Sequence, residues 1–209
     1  MIFGYPASYG EYVGEVLPME YLLGGISRPI HRKTDLDGCD LFVLFGGADT
    51  SPSLYGQRSV RAHASNQPSM RDMVEVDLFT EALKRNVPVL GICRGAQLAC
   101  VLLGGSLWQH VDNHEGQDHD IIMDGRVYRT NSYHHQLMIP ANGMDVLAYS
   151  ENRSPVKWNE HEVTDIYEEA EIVYHRSKKV LMIQGHPEWV PEEHDLFKLT
   201  SKLVKELLC

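Results

Sequence analysis

The sequence predicts an α/β fold, a doubly wound sheet whose central strands are mostly parallel. Two continuous apolar runs, Leu41–Phe45 and Val89–Ile92, are typical of strands covered on both faces, as in a parallel sheet. Helical patterns follow these runs, over residues 71–85 and 94–103. Strands that alternate with helices in this way build parallel sheets, because each helix crosses back over the sheet to the next strand.

Charge order and turn residues support both helices. Acidic residues come early in 71–85 and Lys84–Arg85 come last, an order that suits the helix dipole. Pro88 then separates this helix from the next strand, and Gly104–Gly105 ends the second helix. The two helices are therefore expected to be separate.

Shorter elements are expected in the second half of the chain. Residues 106–150 are polar and rich in turns, such as Asp124–Gly125 and Asn142–Gly143, and predict short antiparallel strands. Residues 151–170 predict a polar surface excursion. The acidic run Glu162–Glu171 predicts a solvated face, with a partner surface as the alternative.

The last part of the chain predicts a hairpin and a helix. The apolar runs Ile172–Tyr174 and Val180–Ile183 flank a charged turn, which is typical of a hairpin. A closing helix is expected to begin at Pro191, with leucines at helical spacing. We expect residues 1–209 to form a single domain.

Composition and charge exclude several classes of protein. The chain has 209 residues, 43% of them apolar, and a formal net charge of −10. This charge disfavours nucleic acid and anionic membranes as partners. No apolar run approaches the roughly 20 residues of a membrane span, and no secretory signal is recognisable. The four cysteines form no CxxC pair, so we expect reduced thiols and a cytoplasmic location.

One cysteine stands at a turn that suits a nucleophile. Cys93 lies between a buried strand and a helix, with Gly91 and Gly95 two residues to either side, where a tight turn leaves no room for side chains. The helix start favours the thiolate, and the main-chain N–H of Arg94 is placed to face an oxyanion. The alternative is a small buried hydrophobic residue, which we expect of the other cysteines: Cys39, Cys100 and Cys209.

A base and its orienting carboxylate follow another predicted strand. His186 comes three residues after the run Val180–Ile183, so it is expected at the same edge of the sheet as Cys93. Imidazole can take the thiol proton and later protonate a leaving amine. Glu188 can turn back to hold the ring N–H, as the third member of such a triad does.

These motifs together resemble those of class I glutamine amidotransferases and their hydrolase relatives, a family of flavodoxin-like α/β domains. Residues Gly46–Gly56 are similar to the GGxDxxPxxYG motif of the γ-glutamyl-γ-aminobutyrate hydrolase group, peptidase C26. Arg71–Asp72 and Asn131–Gln136 agree with that group. The chain departs from it in Met1–Asp37, which is hard to align, and in Gly185, where a bulky residue is usual.

The resemblance implies roles for individual residues. The catalytic residues would be Cys93, His186 and Glu188. The oxyanion hole would be formed by the main-chain amides of Gly47 and Arg94. The substrate-binding residues would be Gly46, Gln97, Ser132, Tyr133 and His134. No cofactor is implied.

The resemblance also implies cleavage of a γ-glutamyl amide through a thioester on the cysteine. Three functions remain open: a stand-alone hydrolase of a small-molecule γ-glutamyl amine, a glutaminase subunit that delivers ammonia to a separate synthetase, and an inactive binding or regulatory module. The leaving amine and the pathway are undetermined, and a homo-oligomer is also left open.

A histidine-rich segment lies outside these motifs. His110, His114 and His119, with Asp118 and Asp120, match no standard zinc spacing. We expect no metal, and interpret these histidines as solvent-facing loop residues.

Overall fold

The computed structural model describes residues 1–7, 13–151, 156–158, 161–163 and 169–209. Its helices are α1 Val13–Leu23, α2 Met70–Lys84, α3 Arg94–Leu102 and α4 Asp195–Leu207. The strands of the first half are β1 Ile2–Pro6, β2 Ile26–Ile30, β3 Leu41–Leu44 and β4 Val89–Ile92. The later strands are β5 Ser106–Trp108, β6 His119–Met123, β7 Arg126–Thr130, β8 Leu137–Ile139, β9 Asp145–Ser150, β10 Val156–Trp158, β11 His161–Val163, β12 Glu169–His175 and β13 Val180–Ile183.

Eleven of the strands described form one mixed sheet. Its path runs β2-β1-β3-β4-β13-β12-β9-β6-β7, and β5 and β8 join beside β12. The first five strands of this path, from β2 to β13, are parallel to one another. The sheet then continues in antiparallel pairs through β12, β9, β6 and β7. The predicted α/β class, with parallel central strands and an antiparallel second half, is confirmed.

Helices cover both faces of the parallel part. Leu41 and Val43 of β3 face the core that includes α1 and α4, whereas Phe42 and Leu44 face the core that includes α2 and α3. All four side chains are buried, because β3 lies between β1 and β4 under two helical layers. This double burial explains the continuous apolar run in the sequence.

Most predicted elements lie within a residue or two of their expected positions. The strand Val89–Ile92 and the hairpin of β12 and β13 are confirmed. The prediction that the last helix begins at Pro191 is wrong, since α4 begins at Asp195. Residues 191–194 form a turn, and the His194 ring caps the helix by accepting a hydrogen bond from the Leu196 N–H at 3.2 Å.

The solvated face predicted for the acidic run is wrong at Glu169 and Glu171. Glu169 and Glu171 lie on β12 and are 1% and 2% exposed. Their carboxylates contact histidines, and those pairings allow charged groups to be buried. Ala170 lies between them on β12, residues 162–163 belong to β11, and residues 164–168 lie outside the described residues.

In the parts of the chain that the structure describes, none of the helices combines the length and apolar character needed to cross a membrane.

Candidate active site

Cys93 occupies a strained turn between β4 and α3. Its backbone has φ 48° and ψ −111°, a conformation that costs an L-residue about 1–3 kcal/mol. The glycines around it are required by close packing, because a Cβ on Gly95 would lie 2.2 Å from the Leu44 carbonyl oxygen. The Cys93 N–H donates to the Ile183 carbonyl at 2.7 Å, which ties the turn to β13.

His186 lies beside Cys93 because β4 and β13 are parallel neighbours. Ile92 and Ile183 pair in register, so the residues that follow both strands emerge at one edge of the sheet. Gly46, after β3, completes this edge. A Cβ added there would lie 2.6 Å from His186 Cε1 and 3.5 Å from Cys93 Cβ.

Glu188 holds the other side of the imidazole. His186 Nδ1 lies 2.8 Å from Glu188 Oε1, and both side chains are buried. Burial lowers the pKa of His186, but its hydrogen bonds with Cys93 and Glu188 outweigh burial and raise that pKa to about 10. The ring is therefore protonated at neutral pH.

Two aromatic rings surround this imidazole. The Trp189 ring stacks on His186, with centroids 3.8 Å apart and planes inclined by 2°. Tyr133 meets both rings edge to face, at 5.9 Å from His186 and 5.3 Å from Trp189. Tyr133 and Trp189 are each about half exposed, so they form a wall between the imidazole and solvent.

Asn131 holds the backbone of His186. Its Oδ1 accepts from the His186 N–H at 2.8 Å, and its Nδ2 donates to the His186 carbonyl at 2.9 Å. The sequence placed Asn131 in a family motif but not among the site residues. Its pairing joins residues 55 positions apart, so no local pattern shows it.

Arg71 supports the turn that follows β3. Its Nη2 donates to the carbonyls of Phe45 and Gly46, at 3.0 and 2.8 Å. Gly47 has φ 137°, and a Cβ there would lie 2.2 Å from Arg71 Nη1. Only glycine fits this combination of backbone angle and close approach.

Buried ion pairs join the turn after β3 to the start of α3. The Arg94 guanidinium pairs with Asp72 and Glu75, and Glu75 Oε1 also accepts from Arg71 Nε at 2.7 Å. Asp72 Oδ2 accepts from Ser51 Oγ at 2.7 Å. The Arg94 side chain is thus committed to structure, whereas its main-chain amide begins α3.

The other predicted binding residues differ in what their side chains contact. Gln97 is buried on α3 and donates to the Gln136 carbonyl at 3.2 Å, and Ser132 is fully buried. Tyr133 faces His186, as described above. His134 is buried and faces Glu171, with its Nε2 3.7 Å from Glu171 Oε2.

The interpretation of the histidine-rich segment as solvent-facing is wrong for two of its members. His114 and His119 are 0% and 4% exposed and lie around Glu171 with His134. Burial by itself would raise the pKa of the Glu171 carboxyl, but His134 and His119 hold it well below its usual range. His110 is only partly buried and lies 3.1 Å from Asp112.

A cysteine side chain, an imidazole and a carboxylate in series can carry out nucleophilic acyl transfer. The thiol supplies the nucleophile, the imidazole carries the proton, and the carboxylate orients the ring. The turn after β3, at Gly46, and the start of α3, at Arg94, both lie next to Cys93.

Comparison with known proteins identifies relatives of this chain. The Peptidase C26 family model matches residues 5–152. The glutamine amidotransferase-like protein YvdE of Lactococcus lactis is 30% identical over 194 residues, which cover 81% of this chain and 75% of that protein. The carbamoyl phosphate synthase small chain of Parasynechococcus marenigrum is 30% identical over 174 residues, or 82% of this chain and 43% of that one.

A solved structure shares the fold. The crystal structure of a glutamine amidotransferase from Thermotoga maritima superposes with a TM-score of 0.62, covering 99% of this chain and 83% of that chain at 17% identity. At this identity the similarity shows the fold alone. The family is shown by the family-model match and by the relative from Lactococcus. The chain belongs to the Peptidase C26 family of glutamine amidotransferase-like hydrolases, which act on C–N bonds.

Proposed function

We propose that this protein hydrolyses the side-chain amide of a small γ-glutamyl compound through a thioester on Cys93. The observation that carries the proposal is the strained Cys93 turn beside the buried His186–Glu188 pair. A stand-alone γ-glutamyl-amine hydrolase is the form that the GGxDxxPxxYG motif at 46–56 favours.

In the proposed first half-reaction, the Cys93 thiolate attacks the γ-carbonyl carbon. The main-chain amides of Gly47 and Arg94 stabilise the oxyanion. His186, oriented by Glu188, gives its proton to the amine as the C–N bond breaks, which leaves a γ-glutamyl thioester.

In the second half-reaction, water attacks the thioester carbonyl and His186 accepts a proton from it. The C–S bond then breaks, glutamate leaves, and the Cys93 thiolate is restored. The protonated His186 is thereby regenerated for the next cycle, so no oxidant, reductant or cofactor is consumed.

The substrate would lie between the turn after β3 and the loop before β8. Gly46 packs closely against His186, and Tyr133 forms an exposed wall. Gln97 and Ser132 are buried polar residues, Gln97 four positions after the nucleophile and Ser132 next to Tyr133. The predicted binding role of His134 is not carried into this proposal, because its ring faces Glu171.

Substitution of the nucleophile tests the proposal. We expect Cys93→Ala to lose on the order of 10³-fold or more in turnover while it keeps the wild-type circular dichroism and thermal midpoint. Wild-type protein mixed with substrate and quenched in acid should carry a γ-glutamyl adduct at Cys93, detectable by peptide mass spectrometry. Undiminished hydrolysis by the variant would refute the mechanism.

A glutaminase subunit is the second candidate, and similarity to a carbamoyl phosphate synthase small chain favours it. Such a subunit would deliver ammonia to a synthetase partner. Purified protein assayed alone with glutamine and with γ-glutamyl-aminobutyrate separates the two functions, since a subunit should be nearly idle without its partner. An inactive module would fail to label at Cys93 with a glutamine-like electrophile.

Several broader predictions stay as predictions: the single domain over 1–209, the cytoplasmic location, and the absence of nucleic-acid and membrane partners. The oligomeric state is open and can be measured by sedimentation.

A further inference from the structure

Five ionisable side chains form a buried cluster beneath the loop that carries Asn131 and Tyr133. They come from four separate segments, and all are at most 4% exposed: His114, His119, His134, Glu169 and Glu171. None of the five takes part in the proposed reaction. A buried group of this kind is costly unless its charges and lone pairs are matched.

Hydrogen bonds determine which nitrogen of His134 carries the proton. Its Nδ1 lies 2.9 Å from the Gln136 carbonyl oxygen, which can only accept, so Nδ1 is the donor. On His114, Nε2 lies 3.1 Å from Glu169 Oε2, which also accepts from Ser150 Oγ at 2.7 Å. Donation by His114 Nε2 to this carboxylate is therefore the favoured arrangement.

The two remaining ring nitrogens converge on Glu171. His114 Nδ1 lies 3.4 Å from Glu171 Oε1, and His134 Nε2 lies 3.7 Å from Glu171 Oε2. Both nitrogens are buried and neither makes a hydrogen bond. In a neutral ring each would direct a lone pair at a carboxylate, an arrangement that is repulsive unless a proton or a metal ion lies between the nitrogen and the oxygen.

The spacing of these atoms suits a metal ion better than hydrogen bonds. Hydrogen bonds to carboxylate oxygens are about 2.7–3.2 Å long. Two ligand atoms at about 2.0–2.1 Å from a tetrahedral Zn²⁺ are about 3.3 Å apart, close to the two distances observed. The ligand atoms of His114, His134 and Glu171 all lie within 4.8 Å of one another.

The surroundings also match those of metal ligands. A ligating histidine usually donates its other ring N–H to a carboxylate or a main-chain carbonyl, as His114 does to Glu169 and His134 to Gln136. His119 Nε2, 2.9 Å from Glu171 Oε1, would orient the ligating carboxylate.

We propose that His114 Nδ1, His134 Nε2 and the Glu171 carboxylate bind one divalent transition-metal ion, with Zn²⁺ as the expected ion. Two imidazoles and a carboxylate form a donor set that Zn²⁺ accepts. The ion would join the segment around His114, the loop before β8 and strand β12. Its role would be structural: it would hold in place the loop before β8. Asn131 and Tyr133, which contact His186, belong to that loop.

A second histidine group, Asp49, His63 and His135, is a weaker candidate. His135 Nε2 and Asp49 Oδ1 already pair at 3.1 Å, and the His63 and His135 rings stack at 4.2 Å. His63 is exposed, whereas all three proposed ligands are buried. This group therefore serves as the matched control.

The test uses the full chain without an affinity tag, in a Cys93→Ala background so that the active-site thiol cannot bind metal. Chelator-treated protein is titrated with Zn²⁺ alone and with Co²⁺ alone. We expect one equivalent of Zn²⁺ to be bound, the visible absorption bands of tetrahedral Co²⁺, and a thermal midpoint that rises with Zn²⁺ concentration.

Three ligand variants, His114→Gln, His134→Gln and Glu171→Gln, should each bind Zn²⁺ at least about 100-fold more weakly, whereas His135→Gln should bind it like the parent. If the ligand variants do not fold, the stoichiometry and Co²⁺ spectrum of the parent, compared with those of His135→Gln, decide the question. A parent that binds no stoichiometric metal, folded ligand variants that retain it, or its loss in His135→Gln would overturn the proposal.

Discussion

Asn131 binds both main-chain groups of His186: its Oδ1 accepts from the His186 N–H at 2.8 Å, and its Nδ2 donates to the His186 carbonyl at 2.9 Å. The imidazole is thus positioned from two sides, by Asn131 through the backbone and by Glu188 through Nδ1. Asn131 is a positioning residue, because it acts on the reaction through His186.

Replacement of Asn131 by Ala should misplace His186. We expect kcat to fall by about 10- to 100-fold, because small displacements of a catalytic group are costly, and the free energy of unfolding to fall by about 1–3 kcal/mol. Asn131→Asp keeps an acceptor for the His186 N–H but sets a carboxylate oxygen against the His186 carbonyl, so it should not restore the wild-type kcat. The exposed Asn142→Ala is the control, and an unchanged kcat in Asn131→Ala would contradict the assignment.

Replacement of Glu188 by Gln should shift the alkaline limb of the pH profile. In the wild type His186, whose pKa is raised to about 10, should keep its proton and support kcat/KM until the pH approaches that value. The variant weakens one of the hydrogen bonds that raise this pKa, so its activity should decline at lower pH. If kcat/KM declines at the same alkaline pH in the wild type and in the variant, Glu188 does not raise the pKa of His186.

The same pKa predicts how stability depends on pH. The unfolded chain releases the proton of His186 near pH 6.5, whereas the folded protein keeps it to about pH 10. The contribution of His186 is therefore complete below about pH 6.5 and is lost as the pH rises towards 10. In urea unfolding across this pH range, the free energy of unfolding of the wild type should fall as the pH rises. It should fall less in His186→Gln.

An added methyl group at Gly46 should block the site without unfolding the protein. A Cβ there would lie 2.6 Å from His186 Cε1, so the ring must move away from its present position. We expect Gly46→Ala to lose about 100-fold in kcat/KM. Gly14→Ala is the matched control, because nothing lies within 4 Å of a Cβ at that helical position. Equal kcat/KM values for Gly46→Ala and Gly14→Ala would contradict the expected clash between residue 46 and His186.

Removal of Arg94 should destabilise the protein strongly. Arg94→Met leaves the buried carboxylates of Asp72 and Glu75 without their shared cation, at a cost of about 3–5 kcal/mol. The control is Lys202→Met, which breaks an exposed pair with Glu206 and should change stability far less. Chemical denaturation measures the free energy of unfolding of both variants. Similar losses in the two would contradict the stabilising role given to the buried ion pairs of Arg94.

Much of the fold was predictable because it depends on local patterns. The apolar runs Leu41–Phe45 and Val89–Ile92 predict strands that are buried on both faces of the sheet. The structure has strands at both places. The start of α4 was placed too early at Pro191, since a proline can open a turn as well as a helix. The acidic run was placed in solvent because composition does not reveal which carboxylates find buried partners.

The sequence by itself determined the parallel core and the placement of Cys93 and His186 at one edge. Each residue lies within three positions of the end of a buried strand, and neighbouring parallel strands end at the same edge of a sheet. Only the tertiary structure decided what faces His134 and how Arg94 is used. His134 meets Glu171 across 37 positions of chain and Arg94 meets Asp72 across 22, so no periodic pattern records either pairing. Such contacts depend on how the sheet and its loops pack, and burial then selects the partner that satisfies each charge.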